Sequence, residues 1–234
     1  MRIPLTKFGL PQVLIYPLLV FVLMFALFII FKPAKWLIPS EFALFLVLVW
    51  MLSFFRDPQR NIVPDEMILY SPADGTITDI VEVDGSVLGM DSDPSVASGK
   101  ALRIGMFLSI FNVHINRVPS SVRIEKVSYK KGKFINAMSG EATKVNESND
   151  ILMTRLSEPK DRLLVRQISG AIARHIVCEA APDREYRQGE AFGMIKFGSR
   201  TELYIPESDE KKYEVSVKIG DTVRAGLTPF IRYL

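Results

Sequence analysis

Apolar positions are spread very unevenly along the chain. Val13 to Phe31 is a run of 19 residues without a charge, interrupted by one proline, Pro17. A helix of that length spans the hydrocarbon of a bilayer. The run is longer than the apolar core of a signal peptide, and Lys32-Pro33-Ala34-Lys35 follows it in place of a small-residue cleavage site. A second run, Phe42 to Phe55, has 14 residues and ends at Arg56. Trp36, Leu37 and Ile38 would lengthen it, but Pro39, Ser40 and Glu41 interrupt. The pattern predicts a membrane-anchoring hydrophobic helical hairpin over residues 1–55. Two full spans and a dip into one leaflet both stay open. No charge falls inside Val13–Phe31, so nothing marks an ion path and the segment reads as an anchor.

From Arg56 onward the period shortens to that of strands. Asp57-Pro58 and Val63-Pro64-Asp65 are breakers. Thr76 to Val83 alternates and is followed by an Asp84-Gly85 turn. Arg103–Leu108, Val122–Tyr129, Glu202–Ile205 and Tyr213–Val217 also read as strands, with a turn at Ile219-Gly220-Asp221. Leu163–Ile168 and Ala171–Cys178 read as a pair joined at Ser169-Gly170. Ser139 to Asp150 is polar and reads as a loop or short helix. Many short strands with turn signals predict a mainly β domain over residues 56–234, barrel- or sandwich-like. Pro72-Ala73-Asp74-Gly75-Thr76-Ile77 and Lys218 to Gly226 look like turns of biotinyl/lipoyl-type hybrid barrels. A carrier of that type needs a lysine on a tight hairpin between methionines, which Met194-Ile195-Lys196 does not supply.

Composition narrows the function. A net charge of +3 gives no case for nucleic acid as a partner. Cys178 is the only cysteine, so an internal disulfide and a thiolate-rich metal site are both excluded, and a cytoplasmic-facing domain is the simpler assumption. Lysine and arginine flank the hairpin and occupy its turn in nearly balanced numbers, so they do not fix its orientation. With two histidines, a three-histidine metal site is impossible, and no metal is expected. Gly-x-Ser-x-Gly and Gly-rich phosphate loops are absent. His175 sits mid-strand and reads as structural. His114 lies where an apolar strand runs into Asn112, Asn116, Arg117 and Pro119, a polar strand end of the kind that marks sites. Gly198-Ser199 alone is an ordinary turn dipeptide.

Four stretches occur in one order: Phe54-Phe55-Arg56-Asp57-Pro58, Ser71-Pro72-Ala73-Asp74-Gly75, Phe107-Leu108 through His114 to Pro119, and Lys196-Phe197-Gly198-Ser199. With Asn146-Glu147-Ser148-Asn149 as a weaker fifth, the chain resembles the phosphatidylserine decarboxylase proenzyme family in its short form. The resemblance implies that Ser199 attacks the Gly198 carbonyl, that the resulting ester eliminates, and that a covalent pyruvoyl group forms from Ser199. That ketone would form a Schiff base with the serine amine of phosphatidylserine and accept electrons as carbon dioxide leaves, giving phosphatidylethanolamine. The products of cleavage, 1–198 and 199–234, would stay together as a heterodimer; a homo-oligomer stays open. The expected location is the cell membrane, with the catalytic domain on the cytoplasmic side by the cysteine argument above. His114 is the implied proton carrier, oriented by Asp74. Larger relatives carry a second histidine where this chain has Arg117. Arg117 and Lys196 are candidate substrate-binding cations. Two other readings remain, a hybrid-barrel adaptor without catalysis and a decarboxylase of another serine-headed lipid.

Overall fold

The computed structural model describes residues 5–31, 35–89, 99–171, 175–196, 198–207 and 213–234. The chain divides into two compact units, Met1–Gln59 and Arg60–Leu234.

The first unit holds α1 (Gln12–Ile30) and α2 (Leu37–Phe54). Both are long and apolar enough to cross a membrane. No side chain of α1 is buried, and α2 buries only Leu48 and Phe54. Helices apolar all round need an apolar medium. The interruption expected at Pro39 does not occur. Pro39 falls in the first turn of α2, where its missing N–H has no intrahelical partner to lose, so the helix runs through it to 18 residues. The Thr6 amide donates to the Phe55 carbonyl at 2.9 Å and closes the two ends of the unit on each other.

The second unit is mainly β. Its elements are β1 (Ile68–Tyr70), β2 (Gly75–Asp84), β3 (Lys100–Leu108), β4 (Ile115–Arg117), β5 (Val122–Lys130), α3 (Ala142–Val145), β6 (Ser148–Arg155) and β7 (Arg162–Ile168). They continue as β8 (Ile176–Cys178), β9 (Glu185–Tyr186), β10 (Ala191–Ile195), β11 (Ser199–Glu207), β12 (Tyr213–Val215), β13 (Thr222–Val223) and β14 (Pro229–Tyr233). The largest sheet has the order β13-β2-β3-β11-β7-β6-β5-β9. It stays open, with β13 and β9 as edges, so it is not a closed barrel. Two smaller sheets, β1-β14-β12 and β4-β10-β8, complete the unit.

One face of the large sheet buries Ile77, Ile104, Met106, Leu108, Ile151, Val165, Leu203 and Ile205 against Phe192, Phe230 and Ile231. The other face is also covered, which explains a strand whose beginning was not expected. β11 buries Ser199, Thr201 and Leu203 on one side and Arg200, Glu202 and Tyr204 on the other. The Arg200 guanidinium pairs with Asp79, and its Nε donates to Glu202 Oε1 at 2.7 Å. A side chain on Gly105 would overlap that guanidinium, so a glycine stands there. β6 begins in the polar stretch read as a loop or short helix. Its Asn149 is buried on Gln167, and its Asp150 takes Nε and Nη2 of Arg166, each at 2.6 Å. β7 and β8 are not a hairpin. β7 pairs with β6 and β11, whereas β8 joins β10 in another sheet.

Candidate active site

The site forms where β10 ends, β11 begins and the segment before β4 crosses behind them. The Ile195 amide donates to the His114 carbonyl at 3.2 Å, and the Gly198 amide donates to His114 Nε2 at 3.3 Å. One histidine therefore holds both Ile195 and Gly198. Gly198 has φ +65, a conformation that side chains rarely adopt, which suits glycine at this position.

The hydrogen bonds assign the tautomer of His114. An amide N–H only donates, so Nε2 accepts and carries no proton. Nδ1, 3.0 Å from the Asn112 carbonyl, then donates to it. The ring is neutral and fully buried. Asn112 is itself fixed, its amide bonding the Ser109 carbonyl at 2.9 Å while its Oδ1 accepts from the Ser109 amide at 2.8 Å.

Ser199 is completely buried, and its hydroxyl has no hydrogen-bond partner among the described residues. Such an orphan is uncommon in a folded interior and invites a functional explanation. The Gly198 carbonyl oxygen packs against Gly170 so tightly that a Cβ on Gly170 would overlap it. A cavity of about 380 Å³ opens at Gly198, walled by Phe107, Ser109, Ile110, Asn136, Ala137 and Ala171.

The weak Asn146–Asn149 element has a physical role beside this site. Asn146 donates to the carbonyls of Ile135 and Ser169 at 2.9 and 2.8 Å, tying the segment before the cavity wall to the residue preceding Gly170. Asn149 ends a buried chain that runs through Gln167 and Asn116 to Thr201, two positions after Ser199.

Asp74 is placed differently from its expected position at His114. Its carboxylate binds Arg60 Nη2 at 2.8 Å and the Ala225 amide at 2.8 Å, while Arg60 Nη1 donates to the Ala225 carbonyl at 2.6 Å. The Asn112 carbonyl takes the orienting place on His114 instead. Arg117 donates from Nη1 to the Gly189 carbonyl at 3.0 Å, and neither it nor Lys196 is among the described residues lining the cavity. Lys196 is buried, and burial pushes its ammonium pKa down. His175 is exposed and precedes β8, its carbonyl accepting from the Lys196 amide at 3.2 Å. The structure thus brings together Ser199, Gly198 and His114. It gives a role to Asn112, which the sequence marked only as part of a polar strand end, and adds Gly170, which looked like a hairpin turn.

This fold and site meet a family model described as phosphatidylserine decarboxylase, which matches residues 47–230. Among its relatives, the phosphatidylserine decarboxylase proenzyme of Rhodopirellula baltica is 40% identical over 99% of this chain and 89% of the relative. Proteins of the same name from Pelagibacter ubique and Carboxydothermus hydrogenoformans are 40% and 42% identical, over 77% and 79% of this chain and 78% and 80% of their own lengths. The chain belongs to the phosphatidylserine decarboxylase family.

Proposed function

We propose that this chain is a proenzyme that cuts its own backbone between Gly198 and Ser199 and then decarboxylates phosphatidylserine to phosphatidylethanolamine. The observation that carries the reading is a buried Ser199 hydroxyl, without a partner among the described residues, beside a Gly198 whose amide is held on an unprotonated imidazole nitrogen.

The Ser199 hydroxyl oxygen adds to the Gly198 carbonyl carbon as its proton passes to a base. The carbon–nitrogen bond then breaks and the nitrogen takes a proton, so the peptide becomes an ester. Loss of the Ser199 α-proton expels the Gly198 carboxylate, leaving an enamine that water converts to a ketone and ammonia. His114 is the base, since its Nε2 lone pair already lies at the Gly198 amide. Asn112 keeps that lone pair in place by holding the proton on Nδ1.

The surroundings fit a pyruvoyl group at position 199, because the side chain it replaces is buried with an unused polar atom and the adjoining cavity abuts Gly198. Such a ketone supplies an electron sink for the amino-acid headgroup as carbon dioxide leaves. Arg200, clamped by Asp79 and Glu202, anchors the strand that would carry it. Asp74 contributes through Ala225, linking the two cleavage products rather than tuning His114. Lys196, and Arg117 once released from Gly189, are the cations for the lipid phosphate or carboxylate. The 36-residue product stays bound because β11 pairs with β3 on one side and β7 on the other. α1 and α2 anchor the enzyme in the bilayer that holds its substrate, with the catalytic domain on the cytoplasmic side.

The test is the intact mass of the detergent-solubilised protein. Two chains parted at Gly198–Ser199 are expected, the smaller lighter by one ammonia than a serine-started peptide and blocked to Edman degradation. Ser199→Ala should remain one inactive chain of 26.4 kDa. A wild-type chain that stays uncut, lipid present, would sink the proposal.

A further inference from the structure

Two turns flank the cavity, and each is closed by its own hydrogen bonds. In the first, Ser109 and Asn112 bond each other through two amides, at 2.8 and 2.9 Å. In the second, the Met138 amide donates to Asn136 Oδ1 at 3.0 Å and the Ser139 amide to the Asn136 carbonyl at 2.9 Å. Ser109, Ile110, Asn136 and Ala137 supply the cavity wall. The next residue of each turn points away from the core: Phe111 is 69% exposed and Met138 63% exposed. Large apolar side chains held out on fixed turns around a cavity mark an interaction surface.

Charge identifies the partner. The charged residues of segment 130–147 are Lys130, Lys131, Lys133, Glu141, Lys144 and Glu147. Glu147 is buried and accepts from the Tyr129 hydroxyl at 3.1 Å, so the exposed charge is four lysines against Glu141. The lysines flank the 136–139 turn along the chain, and an apolar tip beside lysines matches the interface of a bilayer that carries anionic lipid.

We infer that the 109–112 and 136–139 turns form a docking rim for the membrane surface. Phe111 and Met138 enter the interfacial layer, the nearby lysines meet anionic headgroups, and the cavity opens onto the lipid. This rests on the proposed lipid substrate and bilayer anchor, but its test reads depth in the membrane rather than chemistry.

The full-length protein, with Cys178→Ala, carries a spin label at Phe111→Cys, Met138→Cys or, as control, Ile219→Cys, and is reconstituted into phosphatidylcholine vesicles with or without phosphatidylglycerol. Ile219 is 62% exposed and lies beyond β12. Labels at 111 and 138 should collide mainly with lipid-dissolved oxygen and the label at 219 with an aqueous nickel chelate. Replacing Lys130, Lys131 and Lys133 by glutamine, or omitting phosphatidylglycerol, should weaken the difference. Equal aqueous access at all three positions overturns the inference, including the case in which the surface serves a protein partner. Uncut, inactive protein with lipid-facing labels would uphold the rim while refuting the decarboxylase. In a second arm, Phe111→Asp with Met138→Asp should lower turnover of long-chain phosphatidylserine in vesicles about tenfold or more. Self-cleavage and turnover of micellar short-chain phosphatidylserine should stay within about twofold. Unchanged vesicle turnover also overturns the inference.

Discussion

Gly170→Ala tests whether the placement of the Gly198 carbonyl governs self-cleavage. Cβ atoms essentially never approach other heavy atoms closer than 3.0 Å, and one at residue 170 would breach that limit against the Gly198 oxygen by roughly 1 Å. It would also sit 3.1 Å from the carbonyl carbon itself. The neighbour is backbone and cannot swing aside like the end of a side chain. Moving a reacting atom by about 1 Å costs on the order of a hundredfold in rate, or about 2.7 kcal/mol of barrier. Overpacking of this kind should also lower stability by about 1–3 kcal/mol. The assay follows the 26.4 kDa chain into its two pieces on a gel from the moment of purification, with Ser199→Ala as the uncut reference. A thermal melt on the same samples reports whether the sheet survives. Cleavage at the wild-type rate with an unshifted melt would refute the reasoning, because it would mean the carbonyl position is slack.

His114→Ala should slow cleavage by about 10²–10⁴-fold, and acidification of the wild type should slow it too, since protonating Nε2 turns the acceptor of the Gly198 N–H into a donor. A flat time course across acidic and neutral buffers would contradict that assignment. Arg200→Met should cost about 3–5 kcal/mol in a denaturant titration, because Glu202 is fully buried and loses its nearer ion-pair partner, leaving Arg103 at 4.0 Å. Burial pushes the Asp79 carboxyl up, but the hydrogen bond and charge of Arg200, helped by Thr78 and Arg103, outweigh it and hold the pKa below the ordinary 3.8. A depressed folded pKa means stability that is present above the unfolded value and lost as pH falls through the folded one. Asp79→Asn should therefore flatten the loss of stability below about pH 4, which unfolding curves at neutral and acid pH would register. Asp74→Ala should destabilise the cut protein and speed escape of the 36-residue chain in native mass spectrometry. A cleavage defect as deep as that of His114→Ala, in a variant that melts normally, would instead place Asp74 in the chemistry.

Where a segment faces one environment, its pattern was legible. The N-terminal hairpin is apolar on all sides, the start of β2 alternates, and β3 and β7 are short apolar runs bounded by turns. β6 and the start of β11 were not, since their polar residues are satisfied largely by distant partners. Asn149 needs Gln167, Asp150 needs Arg166, and Arg200 needs Asp79. Spacing within one strand carries no trace of such pairings. The site divides similarly. Ordered motifs pointed to Gly198, Ser199 and His114, whose backbones meet at one crossing of strands. The partner of His114 is a main-chain carbonyl, which any residue type at 112 could offer, so composition there is silent. Asp74 was assigned to the histidine by position in a motif, but the fold brings Arg60 and Ala225 to it first. Gly170 resembled a hairpin turn because its requirement for space comes from a strand 28 positions later in the chain.

β11 lies between β3 and β7 with Ser199 at its first position. The strand can be inserted there by a single continuous chain, whose own connectivity keeps it near its neighbours at an effective concentration of about millimolar. The proposed cut at its leading end would remove that advantage for good. A mature molecule that once loses the strand faces a meeting of two separate solutes, so its unfolding should be irreversible on dilution while uncut Ser199→Ala renatures freely. Under the proposed cleavage, the working lifetime of the cut form would be an escape time rather than an equilibrium constant, and the molecule would be assembled once, by a precursor that no longer exists.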